Sequence, residues 1–227
     1  MSDATPKIRT ICVDTLTGIQ NELYMTSTKK ANHDKWKDYG QDIWRLISWL
    51  QDKGFEIILI LGEPGTGKSS GMMKLPTKTN IWFNADNKNP VWTGGKAEYG
   101  RKFNPTLPYH LIPKSYKDIR DHVDEVEARG MFEEEKYAIL TGHIEDYKSG
   151  VQTKKRLKTL GNMATNMQIE GKLETVLYAD VIKEEGKNKY ILYTENDGVN
   201  TGRSPMGLFE PIIENDYNFV IEKLLTE

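Results

Sequence analysis

The sequence predicts an α/β fold with a mostly parallel sheet, and three observations support this. Residues 56–61 (EIILIL) form a short, continuously apolar run, as central parallel strands do. Helical patterns alternate with such runs along the chain, which is typical of α/β proteins. A glycine-rich motif of the form G-x-x-x-x-G-K-[ST] begins directly after residue 61, where a phosphate-binding loop would follow its strand. We therefore expect a three-layer α/β domain with a phosphate-binding loop at the carboxyl ends of its strands.

The individual elements are predicted from hydrophobic period and from capping residues. One amphipathic helix has apolar residues at helical spacing from Trp36 to Leu50 and ends at Gly54, which can adopt the left-handed conformation. A second helix begins at Ser115, where Asp118 completes a capping box. Apolar, β-branched or aromatic runs predict strands at residues 8–13, 56–61, 80–83 and 137–141.

The chain is predicted to be a single domain of 227 residues, with a nucleotide-binding core at 8–170 and a C-terminal hairpin and helix at 171–227. Residues 173–179 and 190–194 flank a turn-rich segment and predict the hairpin, and residues 216–225 predict the helix. The stretch 87–113 is rich in Gly, Pro and Asn without a clear period, so we expect a long loop or insertion there.

Composition excludes several classes of protein. With 37% hydrophobic and 28% charged residues, the chain resembles globular rather than disordered proteins. No apolar run approaches the ~20 residues of a membrane span, and the polar start lacks a signal-peptide apolar region, so we expect a cytoplasmic protein. The single Cys12 excludes an internal disulfide and is expected to be a buried structural thiol. The net charge of -2 argues against a uniformly basic surface.

The glycine-rich motif predicts a site for ATP and magnesium. Its glycines let backbone N–H groups turn inward around phosphate oxygens, and the start of a following helix would add a positive dipole end. Lys68 is expected to contact the β- and γ-phosphates, and Ser69 to offer its hydroxyl to magnesium. The alternative is a glycine turn that binds nothing. The predicted nucleotide-binding residues are Gly62, Glu63, Pro64, Gly65, Thr66, Gly67, Lys68, Ser69 and Ser70.

A phosphate-binding loop needs an acid at the end of a neighbouring strand to hold the magnesium shell. Two acids qualify by pattern, Asp14 after ThrIleCysVal and Asp180 after ValLeuTyrAla. An exposed Asp that caps a turn is the commoner role for either one alone. Asp180 is expected to lie in an antiparallel hairpin, whose end need not face the phosphates. We therefore predict that Asp14 is the magnesium acid.

Taken together, four segments resemble the phage-encoded RecA-like recombination ATPases of the broad AAA group. They are GEPGTGKSS, IRTICVDTLTGIQNEL, YAILTGH and ENDGVNTGRSPMGLFE. The resemblance implies an ATPase of RecA-like fold that acts in DNA recombination or single-strand annealing as a homo-oligomer. For a phage-encoded protein, the expected cytoplasmic location would be the cytoplasm of the host cell.

The resemblance also implies roles for three further catalytic residues. Asp86 resembles the acid that positions water, and His143 resembles a polar sensor at the end of the strand beside the loop's own strand. Arg203 is similar to the basic residue that reaches a neighbouring subunit's nucleotide. Each has a plainer alternative: Asp86 as a turn former, His143 as a packing histidine and Arg203 as an exposed loop charge.

The order of the motifs departs from that family, because Asp14 precedes the loop instead of following it. If residues 8–62 and 137–142 exchanged places, the family order would be restored at both junctions. This pattern predicts a natural or engineered rewiring in which two parallel strands exchange their connections. Neighbouring strands lie only about 5 Å apart, which makes such an exchange feasible.

The basic run KSGVQTKKRLK after His143 resembles the DNA-contacting loops of RecA-like proteins and predicts a lysine-rich loop that binds single-stranded DNA. Its cations are Lys148, Lys154, Lys155, Arg156 and Lys158. The alternative is a solvated surface loop, since no run of stacking aromatic residues accompanies these charges. Two other functions also stay open: a nucleotide-gated assembly module with little turnover, and a small-molecule kinase.

Overall fold

The computed structural model describes residues 7–19, 33–86, 88, 110–159 and 169–227. The described strands are β1 (Ile8–Asp14), β2 (Phe55–Leu61), β3 (Asn80–Asn84), β4 (His110–Leu111), β5 (Phe132–Gly142), β6 (Ile144–Ser149), β7 (Gln152–Leu157), β8 (Thr175–Glu184), β9 (Lys187–Tyr193) and β10 (Ile212–Glu214). Three α-helices lie wholly within the described residues: α1 (His33–Asp52), α2 (Tyr116–Ala128) and α3 (Tyr217–Leu224). Residues 16–19 are also α-helical. Short 3-10 helices span Ser69–Lys74, Thr77–Thr79 and Ile169–Lys172.

The fold is α/β with a mostly parallel sheet, as predicted. Eight strands pair in the order β10-β9-β8-β2-β5-β1-β3-β4, and β6 and β7 form a separate two-stranded sheet. Every pairing from β8 to β4 is parallel. The pairs β8–β9 and β9–β10 are antiparallel. The carboxyl ends of β1, β2 and β5 therefore meet at one edge of the sheet, where ligands bind in open α/β sheets.

Both faces of the sheet are covered, because side chains alternate between faces along each strand. On β2, Leu59 faces the cluster that includes Ile47 of α1 and Val123 of α2. Its neighbour Ile60 faces the opposite cluster, which includes Val220 of α3. This two-sided burial explains why β2 is apolar almost throughout its length.

Capping residues set the ends of the helices, as predicted for the capping box at Ser115 and for Gly54. The Ser115 side chain accepts from Asp118 N, and the Asp118 side chain accepts in return from the Ser115 backbone, which completes the capping box of α2. Asp216 caps α3 by accepting from the N–H groups of Asn218 and Phe219. Gly54, at φ 80°, ends the turn after α1 in the left-handed conformation.

Two predicted elements differ from the structure, and a third lies mostly outside the described residues. The helix expected after the glycine-rich loop is only the short 3-10 helix Ser69–Lys74, which ends at Leu75 in extended conformation because Pro76 follows. The basic run expected as a loop is the hairpin β6–β7, whose turn contains Gly150 at φ 64°. Most of the long loop expected at 87–113 lies outside the described residues, although β4 lies inside it.

The predicted C-terminal hairpin is confirmed as β8–β9, and β8 also joins the main sheet beside β2. Asp180 was expected at a strand end, which is wrong: β8 continues to Glu184 because Val181 and Ile182 go on pairing with β9. Among the described residues, no helix has the length and apolar character needed to span a membrane.

Candidate functional site

The glycine-rich loop leaves β2 at Leu61 and keeps several backbone N–H groups available. Gly65 and Gly67 have φ values of 86° and 81°, a conformation that residues with a Cβ rarely adopt. Within the described ranges, the N–H groups of Gly65, Gly67, Lys68 and Ser69 donate to no carbonyl or side chain. Successive free N–H groups of this kind form an anion-binding concavity.

Lys68 lies beneath this loop with its ammonium group almost fully enclosed. Its Nζ donates to the carbonyl oxygens of Gly62 and Glu63, at 2.7 and 2.8 Å. The side chain is only 6% exposed, and this burial lowers the pKa of Lys68 to about 8. Nearby Asp14 and Glu63 oppose that shift without cancelling it. A buried cation with carbonyl partners but no close carboxylate partner is well suited to receive an anionic ligand.

A buried carboxylate lies next to the loop's hydroxyl. Asp14, at the end of β1, accepts from Ser69 Oγ at 2.6 Å and from Thr141 Oγ1 at 2.8 Å. Asp14 is 4% exposed, and its burial raises the pKa of the carboxyl group, whereas the two hydroxyl donors lower that pKa. The cluster therefore joins one residue from each of β1, β5 and the glycine-rich loop.

The route by which Asp14 reaches the loop differs from the expected one. A carboxylate at the end of a strand adjoining the loop's own strand would reach the loop directly, but β5 lies between β1 and β2. The loop instead crosses the end of β5, where Gly62 N donates to Gly142 O at 3.3 Å. A Cβ on Gly142 would lie 2.4 Å from Leu157 Cδ1 and 3.1 Å from Leu61 Cδ2, so this position has no room for a side chain. Thr141, the residue before it, donates its hydroxyl to Asp14.

Asp86 and His143 line the same cavity as Lys68 and Ser69, a space of about 380 Å³ that lies within the range of small-molecule sites. Asp86 follows β3, and its Oδ2 lies 2.6 Å from Lys88 Nζ. His143 follows β5, directly beside the loop's strand, as expected. Burial, followed by the charge of Lys68, lowers the pKa of His143 and favours the neutral imidazole.

The remaining predicted residues lie outside this cavity. Arg203 is exposed; its backbone bridges Val176, and its Nη1 donates to Gly171 O at 3.4 Å. Asp180 is exposed on β8 and accepts from Val181 N. The structure of one chain therefore brings neither side chain to the site.

The basic hairpin begins one residue beyond β5, and its base is closed by Lys158 N donating to His143 O at 2.7 Å. Its cations are less free than the sequence suggested. Arg156 Nε lies 2.9 Å from Glu145 Oε1, and Lys155 stands opposite Asp146 in the register. Acids on β6 therefore offset cations on β7.

Sequence reasoning missed four residues that shape the site: Thr141, Tyr190, Asn215 and Tyr217. Thr141 could have been found as the polar end of an apolar strand. Asn215 and Tyr217 lie near the C-terminal end of the sequence and contact the loop in the fold. No motif has a spacing that would relate these two residues to the loop. Tyr190 lies against the backbone of Gly67, where a Cβ would come within 2.5 Å of its ring.

The residues present fit a magnesium ion. It is typically held by one or two protein oxygens together with substrate phosphates, so a dedicated cage of ligands is not required. The pair of Asp14 carboxylate and Ser69 hydroxyl fits this pattern. Among the described residues, no group of three or more His, Cys, Asp and Glu forms such a cage.

A scan of the chain against protein-family models found no match, and a search of curated proteins found none either. The resemblance to RecA-like ATPases thus stays a prediction from the motifs.

Proposed function

We propose that this chain binds ATP and hydrolyses it with magnesium. The observation that carries the proposal is the 2.6 Å contact between Ser69 Oγ and Asp14 Oδ2. These residues are far apart in sequence, and their contact places a strand-end carboxylate against the hydroxyl of a phosphate-binding motif. Free backbone N–H groups and the buried Lys68 ammonium lie beside this pair.

Each residue has a distinct task in the proposed reaction. The loop N–H groups bind the phosphate oxygens, and Lys68 Nζ exchanges its carbonyl partners for the phosphates. Asp86 Oδ1 or Oδ2 orients the attacking water and receives its proton as the γ-phosphorus separates from the bridging oxygen. His143, whose side chain lines the same cavity, is the proposed sensor of the γ-phosphate. Bound magnesium would offset the charge that phosphoryl transfer develops.

We place the core among RecA-like folds, with two strands whose connections are exchanged. β2 and β5 are parallel neighbours in matched register, with Leu59 opposite Leu140. Both strands therefore lie side by side in the sheet and contact the same two hydrophobic clusters, one on each face. This supports the motif-based prediction that residues 8–62 and 137–142 are transposed relative to the family.

Single-stranded DNA is the proposed partner, with the β6–β7 hairpin as its contact. Lys148 and Lys158 are exposed, and Arg156 lies over the Tyr147 ring, with its guanidinium carbon 4.8 Å from the centroid. Cations beside an aromatic ring suit a phosphate backbone with unstacked bases. Since the hairpin begins beside His143, DNA bound there would lie close to the nucleotide. Exposed Arg203 is available to a second copy in the proposed homo-oligomer.

A nucleotide-gated module with slow turnover is the second candidate. The observation that favours it is the ion pair of Asp86 with Lys88, at 2.6 Å, because this contact occupies Oδ2, one of the two oxygens that could orient the attacking water. Such a module would bind ATP and change its assembly without sustained phosphate release.

One experiment separates these functions: phosphate release is measured with magnesium-ATP, with and without single-stranded DNA, and again with excess chelator. An ATPase gives sustained, chelator-sensitive release. A binding module gives ATP affinity with at most one phosphate per chain. Absence of both ATP binding and release would refute the proposed site.

A further inference from the structure

The corner between β10 and α3 lies directly against the phosphate-binding loop. The Tyr217 hydroxyl donates to the carbonyl oxygen of Lys68, and Tyr217 is fully buried. Asn215 Nδ2 donates to the carbonyl oxygen of Gly67 at 2.7 Å. Two side chains from the C-terminal segment therefore hold two successive carbonyls of the loop.

The contact is close as well as polar. A Cβ placed on Gly71 would lie 2.2 Å from Tyr217 Cε1 and 2.5 Å from Asn215 Oδ1. The ring and the amide thus lie on the backbone of the segment that follows the loop. Burial raises the pKa of Tyr217 well above its ordinary value, so the phenol stays protonated and remains a donor.

The corner is itself anchored on the rest of the fold. Asn215 N donates to Tyr190 O at 3.1 Å, which joins it to β9. Asp216 caps α3 and lies 3.0 Å from Lys74 Nζ, at the end of the 3-10 helix. The corner that carries the donors of Asn215 and Tyr217 is therefore bonded both to β9 and to the end of the 3-10 helix.

The orientation of a carbonyl determines that of the next N–H group. In a planar trans peptide the C=O of one residue and the N–H of the following residue point in opposite directions. When the Gly67 and Lys68 carbonyls face Asn215 and Tyr217, the N–H groups of Lys68 and Ser69 face the opposite way. These are two of the N–H groups that donate to nothing else in the described chain.

We propose that Asn215 and Tyr217 are positioning residues that hold the phosphate-binding loop in the orientation that receives phosphate. This role rests on the proposed function. The two residues contribute unequally, because Gly67 O also accepts from Ser70 N at 2.9 Å and Ser70 Oγ at 2.7 Å. Tyr217 therefore has the larger effect, since within the described chain its hydroxyl is the side-chain donor to Lys68 O.

Tyr217→Phe tests this proposal, because it removes one oxygen and leaves the ring in place. Tyr116→Phe is the matched control: its buried hydroxyl donates to Leu16 O at 3.3 Å and not to a carbonyl of the loop. The first measurement is the ¹⁵N backbone relaxation of residues 65–69 without nucleotide. The second is the affinity for magnesium-ATP by calorimetry. We expect greater mobility of these amides and about fivefold weaker binding in Tyr217→Phe alone.

The two measurements separate the two proposals. Loop amides in Tyr217→Phe that match those of the wild type and of Tyr116→Phe would overturn the positioning role, whatever ATP does. Mobile loop amides in a protein whose wild type binds no ATP would preserve that role and refute the proposed function. If Tyr217→Phe does not fold, Asn215→Ala is measured in the same way, with a smaller effect expected.

Discussion

Two neighbouring regions of the molecule differ in how their charged side chains are placed. One is the edge of the sheet where β1, β2 and β5 end, and the other is the β6–β7 hairpin. At the sheet edge, Asp14 and Lys68 are buried, and each forms hydrogen bonds to other groups of the protein. On the hairpin, the cations are exposed or half-buried, and the pairs they form are across strands at the surface. The two regions are nevertheless adjacent, separated by His143 alone.

Burial explains what this difference means for function. A buried charge has no water to replace a lost partner, so a single change at the sheet edge should have a large effect. Exposed charges are screened by salt, and water solvates a group that loses its partner. Each substitution on the hairpin should therefore have a small effect, and the effects should add.

Lys68→Ala is expected to have the largest effect and to lower ATP hydrolysis by at least about 100-fold, because it removes a cation aimed at the phosphates. Its fold should persist, since within the described residues Nζ bonds to the carbonyl oxygens of Gly62 and Glu63 and forms no ion pair, and Glu63 is exposed. Phosphate release and circular dichroism check this. Normal turnover in a folded Lys68→Ala protein would contradict the phosphate-binding site.

Asp14→Asn is expected to lower magnesium-dependent turnover by about 10- to 100-fold, because the amide replaces a charged oxygen beside Ser69 Oγ. Stability should fall modestly, since the amide can still accept a hydroxyl bond. Asp180→Asn is the control, an exposed acid on β8 whose change should leave turnover intact. Turnover lost in Asp180→Asn and kept in Asp14→Asn would reverse the assignment.

The pH dependence of ATP binding should follow Lys68. Its pKa of about 8 is below the usual value, and bound phosphate would raise that pKa again because it favours the protonated form. Affinity is therefore expected to be constant below pH 7 and to fall above pH 8, approaching about tenfold per pH unit.

Lys68→Arg is the control for this titration, since a guanidinium group stays protonated throughout this pH range. The arginine protein should bind ATP with little dependence on pH between 7 and 9.5, even if its affinity is lower. Calorimetry at several pH values measures both proteins. The same fall in both would assign the titration to another group.

Replacing Lys154, Lys155 and Arg156 with Gln is expected to weaken DNA binding only severalfold, because β6 acids already offset part of their charge. The slope of log affinity against log salt should also decrease, by up to about 0.7 for each lost phosphate contact on a single strand. The control carries Gln at Lys114, Lys117 and Lys223, exposed cations elsewhere on the surface. Equal slopes in the two proteins would return the hairpin to a solvated surface.

Local features of the site could be predicted from the sequence. Consecutive residues formed the glycine-rich loop after β2, and Asp118 completed the cap of α2 at the expected spacing. These features depend on neighbours in the chain, so their patterns are visible in the sequence. The buried thiol of Cys12 was also predicted from its apolar strand, and it is confirmed.

Features that depend on the order of strands in space could not be predicted. That β5 would separate β1 from β2, and that Thr141 would donate to Asp14, follows from pairing between segments distant in sequence. The same holds for Tyr217 and the carbonyl of Lys68. The hairpin was not predicted, because its polar, basic composition is typical of a surface loop, although the segment contains a two-residue turn with Gly150.

The buried position of Cys12 has a practical consequence for experiments on this protein. It is the only cysteine in the sequence and is 0% exposed. Burial, and secondarily the charge of Asp14, raises the pKa of its thiol well above the usual value, so little reactive thiolate forms at neutral pH. A cysteine introduced at Val151, on the exposed turn of the hairpin, should therefore be the site that a maleimide dye labels. Fluorescence from that position could follow DNA arrival without removal of the native cysteine.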